Sequence, residues 1–251
     1  MNLQSSDSTS TSPRLAVVTG AGSGIGFETC RQLRAAGWKV IAIDLSEGAG
    51  IDQADVANLA QLESIATGLE GERVDALLCI AGIWSQHDDR YTSVPLDVWN
   101  QTFAVNVTGT MLTMRAFAPL LAEGSSVVTI ASMAALTGIP KRDAYTASKG
   151  AIIALTRAWA ADLIRLGIRV NCVAPGVVET PMTASVRGDD EPALPLGRAA
   201  SAAEVAAVIV ALTGEGMGYV SGAIIPIDGG ITAANGLVTL APRASVGGRN
   251  S

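Results

Sequence analysis

Tyr145 and Lys149 stand four residues apart in the run Asp143-Ala-Tyr-Thr-Ala-Ser-Lys-Gly-Ala-Ile-Ile, at the head of a helix-like apolar stretch. That spacing sets both side chains on one helical face. An ammonium beside a phenol favours the phenolate, which predicts a tyrosine pKa lowered from about 10 toward the working pH. Such a tyrosine trades protons with an alcohol or a carbonyl. Two solvated helix residues give the same spacing, so the remainder of the chain has to decide between the readings.

A second group of residues suits a nucleotide. Thr19-Gly-Ala-Gly-Ser-Gly-Ile-Gly26 follows a β-branched run and leads into a helical pattern. Glycines there let the backbone turn sharply and approach a pyrophosphate, which then sits at the positive end of the helix. Gly20, Ser23, Gly24, Ile25 and Gly26 are therefore candidate cofactor contacts, although the glycines run Gly20-xxx-Gly24-x-Gly26 rather than GxGxxG. Eighteen residues beyond Gly26, Asp44 closes the next β-branched run. A carboxylate there accepts hydrogen bonds from the adenosine ribose hydroxyls and repels a 2′-phosphate. Leu45, Ser46 and Glu47 follow without a base, so NAD is expected in preference to NADP. Asp55, ahead of Val56 and another helical pattern, reads either as an N-cap or as an adenine contact.

These residues need a scaffold, and short β-branched runs at 15–19, 39–44, 74–80, 126–131, 168–174 and 223–227 supply strands. Apolar stripes at 24–36, 57–69, 96–121, 144–166 and 202–213 supply helices between them. Strand-helix alternation with nearly continuous apolar strands implies a parallel sheet covered on both faces, a doubly wound Rossmann-like α/β fold in a single domain. Residues 181–198, rich in Gly, Pro and acids, read as a loop over a binding cleft. Residues 1–13 read as a disordered leader that is no secretory signal, and residues 232–251 as a surface tail or an arm reaching a neighbouring subunit.

Composition narrows the function classes. A 49% hydrophobic, 16% charged chain can build a large core and hide surface in subunit contacts. A net charge of −6 without a basic block argues against nucleic acid or an anionic membrane as partner. Cys30, Cys79 and Cys172 form no CxxC pair and read as buried free thiols in a reducing, cytoplasmic setting, while a single histidine, His87, leaves no protein-built metal site. His87 itself reads as an exposed loop residue. Trp84 is a better pocket candidate, and Lys141 and Arg142 read as a solvated loop pair. Met133, Ile139, Val177 and Met182 suit either an apolar pocket wall or the core.

Over residues 14–231 the motif order resembles the short-chain dehydrogenase/reductase family in its compact single-domain branch. Residues 19–26 are similar to its TGxxxGxG turn, Asn106 in Phe103-Ala-Val-Asn-Val to its active-site asparagine, Ser132 to its serine, and Tyr145 with Lys149 to its YxxxK pair. Pro175-Gly176 and Thr180 are similar to the segment that closes over the nicotinamide, whereas Cys79-Ile-Ala-Gly82 departs from the usual Asn-Asn-Ala-Gly beside the adenosine. The resemblance implies hydride transfer between NAD(H) and a small secondary alcohol or its ketone, with Tyr145 as acid/base and Ser132 holding the substrate oxygen. It implies that Lys149 grips the nicotinamide ribose and that Asn106 links Lys149 to solvent through its helix backbone and a water. It further implies cofactor contacts from Ala81, Gly82, Pro175, Val178 and Thr180, and a homotetramer built on the helices containing Asn106 and Tyr145 and on the last strand. Two other readings stand: an NADPH-dependent 3-oxoacyl-type reductase, which Asp44 disfavours, and a non-catalytic NAD-binding regulator, which Ser132, Tyr145 and Lys149 disfavour.

Overall fold

The computed structural model describes residues 13–186 and 194–234. The leader, all but its last residue, the tail from 235 and positions 187–193 of the expected cleft loop lie outside the described residues. In chain order the elements are β1 (Leu15–Thr19), α1 (Gly24–Ala35), β2 (Lys39–Asp44), β3 (Asp52–Gln53), α2 (Leu59–Thr67), β4 (Val74–Cys79), α3 (Leu96–Phe103), α4 (Thr110–Phe117) and β5 (Leu121–Ile130). They continue as α5 (Asp143–Leu163), β6 (Arg169–Pro175), β7 (Val178–Glu179), β8 (Ala200–Ser201), α6 (Ala202–Leu212) and β9 (Ile224–Ile227).

Seven strands form one sheet in the order β3-β2-β1-β4-β5-β6-β9, every neighbouring pair parallel. The alternation of a strand explains why both faces must be covered. Leu15 and Val17 of β1 enter one core cluster with Leu77 and Cys79 of β4, while Ala16 and Val18 enter another with Ala76 and Leu78. The first cluster is closed by Leu62 of α2, Phe117 of α4 and Ala160 of α5; the second by Leu33 of α1 and Ile209 of α6. Burying both faces of the central strands supplies the main driving force, about 25 cal/mol per Å² of apolar area removed from water. The strand order reverses between β1 and β4, which opens a crevice beyond their carboxyl ends.

The helix expected over 96–121 is interrupted. Ala104–Gly109 winds as a π-helix between α3 and α4, and a 3-10 turn at Ala118–Leu120 hands the chain to β5 at Leu121. β5 therefore starts five residues before the expected 126, through a register shift against β4 between Val74 and Ala76. The two-residue strands β3, β7 and β8 were not expected, because two residues show no period.

Candidate active site

At the crevice, Thr19 ends β1 with its hydroxyl accepting the N–H groups of Ile80 and Ala81, at 3.2 and 3.3 Å, which ties the ends of β1 and β4 together. The glycine turn follows at once. Gly20 and Gly24 take φ of +71° and +52°, and a Cβ at Gly20 would stand 2.7 Å from the Ala81 Cα. Only glycine fits such a left-handed, crowded position. Ser23 caps α1 by backbone alone and the first turn holds no acidic residue, so the first N–H groups of α1 remain for an anionic ligand. The residues present fit the pyrophosphate of a dinucleotide.

Asp44, at the end of β2, turns its carboxylate back onto this loop: Oδ2 accepts from Gly22 N at 2.8 Å and Oδ1 from Ser46 N at 2.9 Å. Asp55 accepts from Ala57 N at 2.8 Å, but the cap of α2 is Asn58, whose side chain takes Gln61 N. Asp55 is thus not the helix cap that one reading gave it, and its carboxylate fixes the loop carrying Val56. A cleft of about 390 Å³ runs from this end to Tyr145. Gly20, Ser23, Gly24, Ile25 and Gly26 line its floor, and Asp44, Leu45, Asp55 and Val56 one end. Ala81, Gly82, Pro175, Val178 and Thr180 line the middle, and Ser132, Tyr145 and Lys149 the other end.

Asn106 does not line the cleft. It is buried in the π-helical stretch behind it, where Oδ1 accepts from Ile83 N at 2.7 Å and Nδ2 donates to Ile83 O at 2.9 Å and to Ser148 Oγ at 3.0 Å. Ser148 in turn donates to Tyr145 O at 2.8 Å. Asn106 therefore joins the loop after β4 to the helix of Tyr145. Lys149, also buried, donates to Ile130 O at 3.1 Å and lies 5.7 Å from the centroid of the Tyr145 ring. A Cβ at Gly82 would come within 3.1 Å of Lys149 Nζ and 3.2 Å of Asn106 Oδ1, so the glycine makes room for both.

The electrostatics correct one expectation. Burial pushes the Tyr145 phenol above its ordinary pKa, and the neighbouring Ser132 hydroxyl pulls the other way without reversing it. Desolvation disfavours the phenolate, and no lowering by Lys149 enters against it. Burial also lowers Lys149 itself, to about 8. Ser132 Oγ accepts from Ala134 N at 3.2 Å, so it serves as a cap and still borders the cleft.

Trp84 was expected in the pocket and is not among the lining residues. Its indole Nε1 donates to Met182 O at 2.8 Å while the Arg142 guanidinium stacks 4.4 Å from its ring centroid. Arg142 is accordingly not merely solvated. Of the four apolar wall candidates Met182 borders the cleft; Met133, Ile139 and Val177 do not. His87 is exposed, as expected. Sequence reasoning missed Ile83, Val105 and Thr183 on the cleft wall; the first two adjoin residues already singled out, Gly82 and Asn106, which was the available signal.

Comparison with known proteins adds an independent line. A family model described as enoyl-(acyl carrier protein) reductase matches residues 20–232. Galactitol 2-dehydrogenase (L-tagatose-forming) of Cereibacter sphaeroides is 38% identical over 86% of this chain and 94% of its own. The 2-(R)-hydroxypropyl-CoM dehydrogenase of Xanthobacter autotrophicus is 36% identical over 88% of this chain and 99% of its own. Among solved structures, levodione reductase superposes with a TM-score of 0.81 at 30% identity, covering 88% of this chain and 98% of that one.

Proposed function

The chain belongs to the short-chain dehydrogenase/reductase family, and from that premise we propose that it is an NAD(H)-dependent oxidoreductase interconverting a small secondary alcohol and its ketone. The observation that carries the reading is one continuous cleft with the Asp44 carboxylate at one end and Ser132, Tyr145 and Lys149 at the other. Relatives named as a galactitol 2-dehydrogenase and a 2-(R)-hydroxypropyl-CoM dehydrogenase support the substrate class. A nicotinamide dinucleotide bound in the cleft supplies the hydride acceptor or donor.

The chain's own residues do the rest. The glycine turn and the N-terminus of α1 bind the pyrophosphate, Asp44 the adenosine ribose, and the middle of the cleft, from Ala81 and Gly82 to Pro175, Val178 and Thr180, the nicotinamide half. Ser132 donates a hydrogen bond to the substrate oxygen where charge changes. Tyr145 takes the hydroxyl proton during oxidation and returns it during reduction. Lys149 grips the nicotinamide ribose. Asn106 holds the loop and helix that frame these groups. We further infer a homotetramer and a reducing, cytoplasmic setting; the three buried free thiols support the latter.

Initial rates of nicotinamide reduction against polyols, hydroxy acids, aryl carbinols and sterols, each with NAD⁺ and NADP⁺, test the proposal. Turnover of one alcohol class with NAD⁺ is expected, with Tyr145→Phe slower by about a hundredfold or more. Turnover with NADP⁺ alone would overturn the reading of Asp44, and an unimpaired Tyr145→Phe the role of the phenol.

A further inference from the structure

Among the described residues Asp88 is the one buried carboxylate, 4% exposed, and the reading just given assigns it no task. Its two oxygens accept from Ala144 N at 3.1 Å and Tyr145 N at 2.9 Å. Both donors belong to the first turn of α5, whose own N-cap, Arg142, makes no side-chain cap bond. The opening N–H groups of a helix need a partner, and a carboxylate there also meets the positive end of the helix dipole. Here the cap comes from a loop 57 residues upstream of Tyr145.

The same loop is fastened twice more to the same place. Arg142 Nη1 donates to Asp88 O at 3.1 Å, and Asp143 N to Asp89 O at 3.3 Å. Through Trp84, which meets Met182 O and the Arg142 guanidinium, the loop also reaches the wall of the cleft. A phenol that must meet a substrate oxygen within a fraction of an ångström depends on where its backbone is held, and the backbone N–H held by Asp88 is that of Tyr145 itself.

We propose that Asp88 is a positioning residue for the reaction: it clamps the first turn of α5 to the loop after β4 and thereby fixes the Tyr145 phenol relative to Ser132 and the cleft wall. The proposal rests on the functional reading above, since it assumes that Tyr145 carries the proton. Misplacement of a reacting group by about 1 Å can cost up to about a hundredfold. The clamp lies at the Tyr145 end of the cleft, away from Asp44, so affinity for the dinucleotide should be spared.

The test compares the full chain with Asp88→Ala and with the nearly isosteric Asp88→Asn, which keeps one acceptor oxygen. For Asp88→Ala the expected result is a kcat lower by about ten- to a hundredfold. NADH affinity by fluorescence titration should stay within about twofold, and hydrogen exchange should show lost protection in the peptide containing Ala144 and Tyr145. Asp88→Asn should recover a large part of kcat and of the protection, whereas a fault confined to folding would give neither the split between kcat and affinity nor this recovery. Wild-type kcat in both variants, an equal loss of NADH affinity, or unchanged exchange at Ala144 and Tyr145 would overturn the proposal. If Asp88→Ala does not fold, Asp88→Asn decides alone: a reduced kcat with weakened protection supports the clamp, and full kcat or full protection refutes it. If the wild type turns over no alcohol the functional reading fails separately, and the exchange measurement still shows whether Asp88 holds Tyr145.

Discussion

Lys149 shows how far a side chain's surroundings can redirect its chemistry. Its ammonium rests on the Ile130 carbonyl, and burial lowers its pKa to about 8. Between that value and the ordinary lysine value of 10.5 the unfolded chain binds more protons than the folded one, so this group's contribution to stability rises with pH across that window. Below pH 8 the buried cation costs stability. Lys149→Met is therefore expected to be more stable than the wild type at pH 7, by up to about 3 kcal/mol at roughly 1.4 kcal/mol per pKa unit, while losing activity. Urea midpoints at pH 7, 8, 9 and 10 should show the advantage shrinking as pH rises; an advantage that does not vary with pH would count against the account. The Tyr-x-x-x-Lys pair was legible in the sequence, and so was the shared helical face. The sign of the tyrosine shift was not, because the cleft that buries the phenol is lined by segments distant in sequence and brought together by the fold.

At the scale of elements, the π-helical stretch ahead of α4 carries both Asn106 and Gly109. A Cβ at Gly109 would stand 2.6 Å from Val56 Cγ2, and Val56 lines the cleft at the end that holds Asp44. Gly109→Ala should displace the loop at Val56, at the end of the cleft where we propose that the adenosine binds. Overpacking of this kind costs about 1–3 kcal/mol, so KM for NAD⁺ should rise by about tenfold while kcat at saturation stays within about twofold. Initial-rate kinetics with varied NAD⁺ would expose the error if kcat fell and KM held. The helix expected over 96–121 was recognisable from its apolar stripe, but an extra residue in one turn leaves that stripe nearly unbroken. Likewise the β1 and β2 bounds were legible to the residue, since glycine or Asp punctuates them, while β5 begins in Leu-Ala-Glu-Gly, which carries no strand period. Asp88 was passed over for a related reason. An acid in a polar loop looks solvated until a helix end is seen to rest on it.

For the whole molecule, the sheet order places the crevice by topology alone: the reversal between β1 and β4 is where the glycine turn and the loop carrying Gly82 face one another. That much followed from alternating strands and helices. The three cysteines were read from sequence as buried, and each lies in a different core cluster: Cys30 on the buried side of α1, Cys79 on the opposite face of the sheet, and Cys172 in the cluster of Ile152 of α5. Burial pushes the first two thiols up to about 11 and about 12, and raises the third as well. A thiolate is the reactive species, so none should be alkylated while the fold is closed. The chain thus holds three chemical clocks, one per cluster, that start only when their own layer opens. Under mild denaturant, mass spectrometry of pulse-alkylated protein should show molecules carrying either no labels or three, because the shared sheet makes the layers open as one. A population carrying a single label at Cys30 would instead mean that α1, with the glycine turn at its head, breathes independently of the rest.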